Sequence, residues 1–564
     1  MEVIVIGGSA AGLKAACRIR RLQADANVTV VVKENTFGYS TCGMAYFLSG
    51  DIDQSKDLIS TPAGTIKDEK YFRDVKGVEI LTGHEAVSID RIARFVRCVD
   101  LNSNSPKTLP YDRLIIATGS SPLLPGIPGI TLPGVEYFHT LEDAIKTRKE
   151  LETGKIGSVA IIGGGFIGIE LCEAFRAMWG VDVHLVELRS QVMSGILDPE
   201  LSRLVESELI EQGVNLKLGC NCREIRKVEN GLELILGSGE TITVDRVIAV
   251  TGVIPNTRLA DGIGLNLGVT GGIVVNDRLQ TSDPEIYAAG DCVELSSAVD
   301  GKPGFWALGS LANRMGRIAG DNICNGDSRF GRVAGVTIVK FFELSIASVG
   351  LNSDSCRENG YDTSSCWGTF HDSLWYFPES GKTHLKLIYD KKNGQILGVQ
   401  AVGSGEMLYL ADKAAQIIQA GWTIDKLPDL EQAYSPPYSQ PFDPFHTMAF
   451  IEDNSRSAGV ELISPNDFYD LPDDAVILDV RKPEEIEAVV VQKGNHRYVE
   501  IPIEELRARI NEVPKKCFAA IICEMGSRSW DAALILRRAG WSDVGILAGG
   551  ALFLPKNTIQ SKVD

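Results

Sequence analysis

The sequence predicts an α/β protein of several domains, and three observations lead to that fold class. An apolar strand, a glycine turn, a helix and a second strand ending in an acidic residue occur at 2–34 and again at 157–187. Residues 336–402 are typical of strands with turns, and a helix is expected through 406–420, which together predict an α+β unit. The tail from about 461 alternates strands and helices again, which predicts a small α/β unit.

Composition limits the kind of partner. The 564 residues carry 56 basic and 74 acidic side chains, for a formal charge of -18. Because nucleic acids and membrane surfaces are polyanionic, this balance argues against both as partners and favours small-molecule substrates. The apolar runs stay below the roughly 20 residues of a membrane helix, and residues 1–6 lead straight into a glycine turn. We therefore expect a cytoplasmic protein whose 12 cysteines are reduced, and we predict no metal site.

The first glycine turn follows the strand Glu2–Ile6 and precedes a helix. Glycines at such a turn let the backbone approach a pyrophosphate, which the helix N-terminus then binds through its amides. Ser9 stands where a central glycine is usual, and the next strand, expected at 28–32, is followed by a carboxylate for ribose hydroxyls. The turn alone also fits an ordinary α/β turn, but the full strand–turn–helix–strand order favours dinucleotide binding. The predicted binding residues are Gly7, Gly8, Ser9, Ala10, Ala11, Gly12 and Glu34.

The second turn has the complete glycine spacing, with Gly163, Gly165 and Gly168, and Glu187 closes the strand that follows. A carboxylate at that position accepts hydrogen bonds from a free ribose 2′-hydroxyl and repels a 2′-phosphate, which favours NADH over NADPH. Arg189, two residues later, leaves NADPH possible.

Three further motifs, ATG at 117–119, TGVIPN at 251–256 and YAAGD at 287–291, complete a specific pattern. With the two turns they resemble the two-dinucleotide flavoprotein disulfide reductases over about residues 1–450. The resemblance implies FAD in the first fold, NAD(P)H in the second, and a homodimer formed by the α+β unit. It adds the cofactor-binding residues Thr118, Gly119, Gly252, Gly290 and Asp291, the last holding the FAD ribitol.

The redox cysteine decides the branch of this family. Cys42 lies in GYSTCGMAYFLSG, just beyond the first unit, and the fifth residue after it is Phe47. Glutathione-reductase-like members have a second cysteine at that position, so Cys42 resembles the single-cysteine branch. A single cysteine must cycle through a mixed disulfide with a small thiol or through a sulfenic acid. Cys292, beside Asp291, is expected to pack in the core.

The single-cysteine branch contains reductases of coenzyme A disulfide and coenzyme A persulfide, and also NADH oxidases and peroxidases. The oxidase members carry a histidine at the position of Ala10, so the sequence favours the CoA-linked members and leaves an NADH oxidase or peroxidase as the alternative. CoA-linked members have a tyrosine before a proline pair, and AYSPPYS supplies Tyr434, implied to protonate a leaving thiolate at the other subunit's Cys42. A packing role for this tyrosine stays open, and Tyr376 is a weaker candidate for a second phenol.

Residues for the CoA substrate are predicted at two places. Tyr39, Ser40 and Thr41 precede the redox cysteine, and Thr41 departs from the family's usual asparagine. Arg18 and Arg21 lie on one face of the first helix, where they either bind the CoA phosphates or form a solvated helix face.

The C-terminal unit resembles the rhodanese sulfurtransferases. LDVRKPEE at 478–485 and IICEMGSRSW at 521–530 carry the resemblance, and Cys523, Gly526 and Arg528 match the family's C-x-x-G-x-R active loop. Backbone amides, a helix dipole and the arginine of such a loop stabilise a thiolate and then a persulfide, which implies catalytic roles for Cys523 and Arg528.

These patterns predict four domains and one overall function. The domains are a discontinuous FAD-binding domain at 1–145 and 246–330, an NAD-binding domain at 146–245, a dimerisation domain at 331–452 and a rhodanese domain at 453–564. A proline-rich stretch at 434–444 is expected to be irregular, and the polar residues 452–460 are expected to form a linker. The predicted enzyme is an FAD-dependent NAD(P)H:CoA-persulfide, CoA-disulfide or polysulfide reductase joined to a sulfurtransferase.

Overall fold

The computed structural model describes residues 1–492 and 494–554, and they form two compact units. The first contains Met1–Leu188 and Cys220–Val333, and the second contains Arg189–Gly219 and the chain from Ala334 onward. Residues 555–564 of the predicted rhodanese domain lie outside the described residues.

A five-stranded parallel sheet forms the centre of the first unit. Short runs of β-branched residues such as EVIVI and NVTVV are buried on both faces, as expected of parallel strands covered by helices. The strand that was expected at 28–32 is Asn27–Val31, which begins one residue earlier. The spatial order of the strands is Ile286–Ala288, Arg113–Ile116, Glu2–Ile6, Asn27–Val31 and Glu79–Leu81.

Two helices cross closely over this sheet. The helix Ala10–Leu22 packs on the helix Gly309–Ile323, and a Cβ on Gly316 would overlap the carbonyl oxygen of Ala11. This close approach brings the start of the first helix, which follows the glycine turn, into the core of the unit.

The second glycine turn belongs to a second parallel sheet in the same unit. Within this unit, the spatial order of its strands is Asp182–Val186, Ser158–Ile162, Arg246–Ala249 and Val135–Glu136. The helices Leu141–Glu152 and Phe166–Glu173 accompany it, and a short π-helical turn, Ala174–Met178, extends the latter.

Smaller antiparallel sheets and short helices complete the first unit. Two of these sheets have three strands. One contains His84–Asp90, Phe95–Asp100 and Pro106–Pro110, and the other contains Cys222–Val228, Gly231–Leu236 and Thr241–Val244. The remaining strands are Ser120–Pro122 with Val253–Pro255, and Ile273–Val274 with Val293–Ser296 and Pro303–Gly304. The short helices are Met44–Ser49, Glu69–Tyr71 and Arg258–Asp261.

The second unit contains the predicted α+β and small α/β parts. An antiparallel sheet has the order Thr337–Phe341, Leu344–Gly350, Ile396–Gly403, Lys382–Asp390 and Thr363–His371. A parallel sheet has the order Glu461–Ile463, Val544–Leu547, Ala519–Ile522, Val476–Asp479 and Arg497–Glu500. The helices are Pro199–Glu211, Ser353–Glu358, Leu408–Gln419, Pro444–Ala458, Pro483–Ala488, Leu506–Arg509 and Ser527–Arg538, with a short strand at Asn215–Lys217.

The predicted linker at 452–460 is wrong. The helix Pro444–Ala458 runs through almost all of it and ends at Gly459, which is left-handed with φ 61°. Asp443 caps the first turn and Pro444 occupies the first helical position, where a missing amide hydrogen has no cost. Apart from the buried Glu452, the polar residues lie mainly on an exposed helix surface, which polarity alone does not distinguish from a linker.

A buried charge cluster joins three parts of the second unit. The Lys386 ammonium lies 2.6 Å from a carboxylate oxygen of Asp198 and of Glu200, which begin the helix Pro199–Glu211. The Trp367 indole and the Asn466 amide each donate to Glu200 at 2.8 Å. Burial opposes the charge on Lys386, but Glu200 and Asp198 outweigh it and raise its pKa. The cluster ties the helix to the antiparallel sheet and to the C-terminal part.

Replacing this lysine should strongly destabilise the second unit. Lys386→Met leaves two buried carboxylates without their cation, which we expect to cost about 3–5 kcal/mol of unfolding free energy. Urea unfolding measures the loss. Lys391→Met removes an exposed ion pair with Asp362 from the end of the same strand and should cost below about 1 kcal/mol. Equal losses in the two variants would contradict the importance of the buried cluster.

Candidate active sites

Close backbone contacts explain the glycines of the first turn. Gly7 has φ 122°, and a Cβ there would overlap the carbonyl oxygen of Ala117 on the neighbouring strand end. A Cβ on Gly12 would overlap the carbonyl oxygen of Gly7. The turn therefore has room for backbone only, which leaves its amides accessible at the start of the helix Ala10–Leu22.

A cavity of about 690 Å³ opens at this turn, within the first unit. Its lining includes Asn256 as well as Tyr39, Thr41 and Cys42. Ten of the predicted cofactor-binding residues line it: Gly7, Gly8, Ser9, Ala10, Ala11, Glu34, Thr118, Gly119, Gly290 and Asp291. The cavity thus brings residues of the dinucleotide turn, the three later motifs and the predicted redox cysteine to one site.

Asp291 presents a carboxylate to this cavity. Ser120 donates a hydrogen bond to it at 3.2 Å, and burial raises the pKa of its carboxyl. A partly desolvated acceptor of this kind is suited to hydroxyl donors such as those of a ribitol chain. Cys292 beside it is fully buried, with Sγ 3.4 Å from the carbonyl oxygen of Ile116, as expected of a packing residue.

Cys42 lies in a 3-10 turn, Thr41–Gly43, that continues directly into the helix Met44–Ser49. Its thiol is exposed and lies outside any disulfide among the described residues. Phe47, at the position of a second redox cysteine in other members, is buried. Burial, followed by the nearby carboxylates Glu142 and Glu34, raises the pKa of Tyr39 to about 12, so this phenol stays protonated beside the thiol segment.

The second turn repeats the geometry of the first. Gly163 has φ 115°, and a Cβ on Gly168 would overlap the carbonyl oxygen of Gly163. The Gly164 amide donates to Glu187 at 2.5 Å, which holds the carboxylate at the end of the turn. Gly165 is the N-cap of the helix Phe166–Glu173, and Gly252 has φ 109°.

These two turns fit the cofactors that the sequence predicts. The glycine backbone, the size of the first cavity and the half-buried Asp291 carboxylate suit FAD, whose pyrophosphate the residues at 7–12 would hold. The residues at 163–168 and Glu187 would hold a pyridine nucleotide in the same way.

The other residues predicted to bind CoA or to assist Cys42 lie outside the lining of the first cavity, except Tyr39 and Thr41. Arg18 forms an ion pair with Asp321 on the helix Gly309–Ile323, and Arg21 is exposed on the last turn of its own helix. Ser40 is exposed beside the redox cysteine. Tyr434 and Tyr376 belong to the second unit and are 49% and 57% exposed. Their roles toward CoA and Cys42 stay predictions.

The predicted sulfurtransferase loop begins where the central strand Ala519–Ile522 ends. Cys523 is fully buried, and its Sγ accepts hydrogen bonds from the amides of Gly526 at 3.1 Å and Ser529 at 3.3 Å. Gly526 has φ 105°, a conformation that favours glycine, and the helix Ser527–Arg538 starts immediately after it. Two amides and a helix N-terminus therefore converge on one sulfur, as a thiolate or persulfide requires.

Arg528 is already paired. Its guanidinium donates to both carboxylate oxygens of Glu485, at 2.6 and 2.7 Å, and lies 3.7 Å from Glu524. The Arg528 hydrogen bond is the main cause that lowers the pKa of Glu485 to about 2. A cavity of about 210 Å³ beside the loop is lined by both of these glutamates and by Glu484.

Sequence reasoning missed three residues in or beside these sites. Glu485 lies within the quoted LDVRKPEE motif, but its partner is 43 residues away. Lys382 lies 3.1 Å from Glu524 across 142 residues of sequence. Glu170 lies five residues after Gly165, on the helix that follows the second turn. An acidic residue in such an apolar helix could have been noticed in the sequence.

The fold and the two sites define a class: a nucleotide-dependent thiol–disulfide oxidoreductase joined to a sulfur-carrying domain. Comparison with known proteins gives the family. The chain matches the pyridine nucleotide-disulphide oxidoreductase family over residues 1–312, its dimerisation domain over 336–444 and the rhodanese-like domain over 464–552. The chain belongs to the pyridine nucleotide-disulphide oxidoreductase family, with a rhodanese-like domain at its C-terminal end, which confirms the resemblance and the fold class. Membership implies FAD and NAD(P)H, and the dimerisation domain supports a homodimer.

Two solved structures are similar over nearly the whole chain. An NAD-dependent persulfide reductase from A. fulgidus is 38% identical, with a TM-score of 0.93 and coverage of 98% of this chain and 100% of that one. The reduced CoADR-RHD of Bacillus anthracis is 30% identical, with a TM-score of 0.89 and coverage of 99% and 98%.

Two curated relatives each match four fifths of the chain. The NAD(P)H sulfur oxidoreductase (CoA-dependent) of Pyrococcus furiosus is 33% identical over 450 residues, which cover 80% of this chain and 98% of the relative. A protein of Methanocaldococcus jannaschii named NADH oxidase is 32% identical with the same coverage. In the described part of the chain, every helix falls short of the length and apolarity needed to cross a membrane.

Glu170 should make stability depend on pH near neutrality. Burial, and secondarily Glu173, raises the pKa of Glu170 from 4.5 to about 7. Between these values the folded state holds a proton that the unfolded state has released, so stability falls as pH rises and the full penalty applies above about pH 7. Glu170→Gln removes this slope, and its urea midpoint should exceed that of the parent increasingly between about pH 5 and about pH 8.

The control for this series is Glu229→Gln, at an exposed turn, which should follow the parent at every pH. A constant offset between Glu170→Gln and the parent across the range would show that Glu170 does not titrate in this window.

Proposed function

We propose that this protein uses NAD(P)H and FAD to reduce CoA persulfide, CoA disulfide or related polysulfides through a mixed disulfide between Cys42 and CoA, and carries sulfane sulfur on Cys523. The observation that carries the proposal is one exposed thiol on the wall of the dinucleotide cavity, in the same chain as a buried thiol held by two amides. The printed names of the A. fulgidus structure and of the Pyrococcus furiosus relative support the substrate class.

The bound cofactors would supply the electrons. FAD, when bound, carries out the two-electron chemistry between the pyridine nucleotide and the cysteine. The chain's own residues bind and select the nucleotides: the glycine turns accept the pyrophosphates, and Glu187 favours NADH because it accepts from a free 2′-hydroxyl and repels a 2′-phosphate. Arg189 is exposed two residues later, so NADPH remains a second substrate in this proposal.

Cys42 performs the substrate step. Its thiolate attacks the CoA-bearing sulfur of a CoA persulfide, a Cys42–CoA disulfide forms, and hydrosulfide leaves. Two electrons then cleave this disulfide into two thiolates, so one persulfide and one NADH yield CoA thiol, hydrosulfide and NAD⁺. The Tyr434 phenol of the other subunit would protonate the departing CoA thiolate, which fits its 49% exposure in one chain. Tyr39, Ser40 and Thr41, with Arg18 and Arg21, are proposed to position CoA.

Cys523 performs the sulfur-transfer step. Its thiolate attacks the sulfane sulfur of a donor such as thiosulfate, sulfite leaves, and a Cys523 persulfide remains. The Gly526 and Ser529 amides, already 3.1 and 3.3 Å from Sγ, stabilise the negative charge. Attack by the CoA thiol on the outer sulfur then produces the CoA persulfide that Cys42 reduces. Arg528, which donates hydrogen bonds to Glu485, holds the loop in place.

An NADH oxidase or peroxidase is the alternative in the same fold, and one relative carries the name NADH oxidase. Ala10 lines the cavity where the oxidase members have a histidine, and the attached sulfurtransferase loop has no use in oxygen reduction. We propose a cytoplasmic homodimer acting on small thiol substrates, with neither nucleic acid nor membrane as a partner.

Removing the redox thiol should separate flavin reduction from turnover. Cys42→Ser should leave the flavin reducible by NADH but lower turnover of CoA persulfide and CoA disulfide by roughly a thousandfold or more, because the mixed disulfide cannot form. Stopped-flow flavin absorbance and steady-state NADH consumption measure the two halves. Cys17→Ser, on the first helix, is the matched control.

The same assay separates the proposed reductase from the oxidase. NADH consumption in air should be slow and should rise strongly when CoA persulfide is added. Fast consumption in air without a thiol substrate, or unchanged turnover in Cys42→Ser, would refute the proposed reductase.

Removing the second thiol should affect only sulfur transfer. Cys523→Ser should lower thiosulfate-dependent sulfur transfer by roughly a thousandfold, because the persulfide carrier is gone, and should leave reduction of CoA disulfide as in the parent. Cys517→Ser, two residues before the strand that leads to the loop, is the control. Equal loss of both activities in Cys523→Ser would show that the two sites do not act separately.

A further inference from the structure

The sulfurtransferase loop contacts the segment 548–554, which packs on the five-stranded antiparallel sheet of the second unit, called the dimerisation sheet below. Within the second unit, the Ala551 amide donates to the carbonyl of Cys523 at 2.8 Å. In the same segment, the Gly549 carbonyl accepts from the buried Thr369 hydroxyl at 2.7 Å. The Phe553 ring packs edge-on against His384, with 5.4 Å between ring centroids. The loop and two strands of the dimerisation sheet therefore share a buried contact.

One charged residue of that sheet reaches the loop itself. The Lys382 ammonium, at the start of the strand Lys382–Asp390, lies 3.1 Å from a carboxylate oxygen of Glu524, the residue that follows Cys523. Both side chains are about one-third exposed, at 37% and 34%. The neighbouring His371 is neutral at pH 7, because burial and then Lys382 lower its pKa. Lys382 therefore supplies the cation at this edge of the loop.

The charges around the loop show why that cation matters. Three carboxylates line the adjoining cavity, those of Glu484, Glu485 and Glu524, and both oxygens of Glu485 already bind Arg528. Glu524 lies 3.7 Å from Arg528 but 3.1 Å from Lys382. Arg481 also lines this cavity, but its guanidinium is bound to the buried carboxylate of Asp479. Without Lys382, the three glutamates at the mouth of the loop would therefore be balanced mainly by Arg528. A sulfane-sulfur donor such as thiosulfate is anionic, so the excess of carboxylates would repel it.

We propose that Lys382, a residue of the dimerisation sheet, is a specificity-determining residue of the sulfurtransfer site, where it neutralises Glu524 and lets the loop accept an anionic sulfane-sulfur donor. The inference rests on the proposed sulfur transfer at Cys523. The sulfurtransfer site would then contain residues of two domains, because Lys382 lies in the region that matches the dimerisation domain and Cys523 in the region that matches the rhodanese-like domain.

The test compares four variants of the full-length protein with thiosulfate as donor and cyanide as acceptor. Lys382→Met should raise KM for thiosulfate roughly three- to tenfold with kcat retained, as expected for one uncompensated charge at the mouth. Glu524→Gln should lower KM below that of the parent, and the double variant should return close to the parent because both charges are gone. Lys391→Met, at the other end of the strand, is the control and should behave as the parent.

Two further readouts separate a charge effect from a structural one. The rise in KM should shrink at high salt, because added ions screen an exposed charge. It should also be smaller for methanethiosulfonate, a monoanion, than for the thiosulfate dianion. A Lys382→Met variant that matches Lys391→Met, or a rise in KM that Glu524→Gln does not reverse, would overturn the inference. A parent protein that transfers no sulfur from thiosulfate, or a Cys523→Ser variant that transfers it equally well, would instead overturn the proposed function and this inference with it.

Discussion

The position of a single thiol constrains the chemistry of the whole molecule. Cys42 lies at the end of the dinucleotide cavity, and the buried phenyl ring of Phe47 occupies the place of a partner cysteine. In the proposed function, electrons that reach Cys42 leave through a sulfur from outside the chain, so the substrate itself completes the redox disulfide. The exposure of the Cys42 thiol gives such a substrate access, and Tyr434 of the other subunit would protonate the leaving thiolate.

The proposed function assigns sulfur chemistry to two thiols with opposite surroundings. Cys42 is exposed and lines the cavity proposed for FAD, whereas Cys523 is buried under its own loop and contacted by two amides. A thiol that exchanges with a bulky partner needs access, and a thiol that carries one sulfur atom needs charge stabilisation. The Lys386 cluster and the contacts of the 548–554 segment fix the sulfurtransferase part on the dimerisation sheet.

Local patterns in the sequence predicted much of this arrangement. The glycine turns were predictable because glycines such as Gly12 and Gly168 make close backbone contacts a few residues away in the sequence. The Cys523 loop was predictable because its motif is also local, with Gly526 at φ 105° just before a helix. The helix through 452–458 was not, because an exposed helix and a linker share a polar composition. Lys382 and Glu485 were missed because their partners are 142 and 43 residues away.

The most direct measurement is denaturing mass spectrometry, with peptide mapping, of the protein oxidised by CoA disulfide. The account predicts an added mass equal to one CoA on the peptide that contains Cys42, which a reducing agent removes. A disulfide between Cys42 and another cysteine of the protein, or an unmodified Cys42 after complete oxidation, would contradict it.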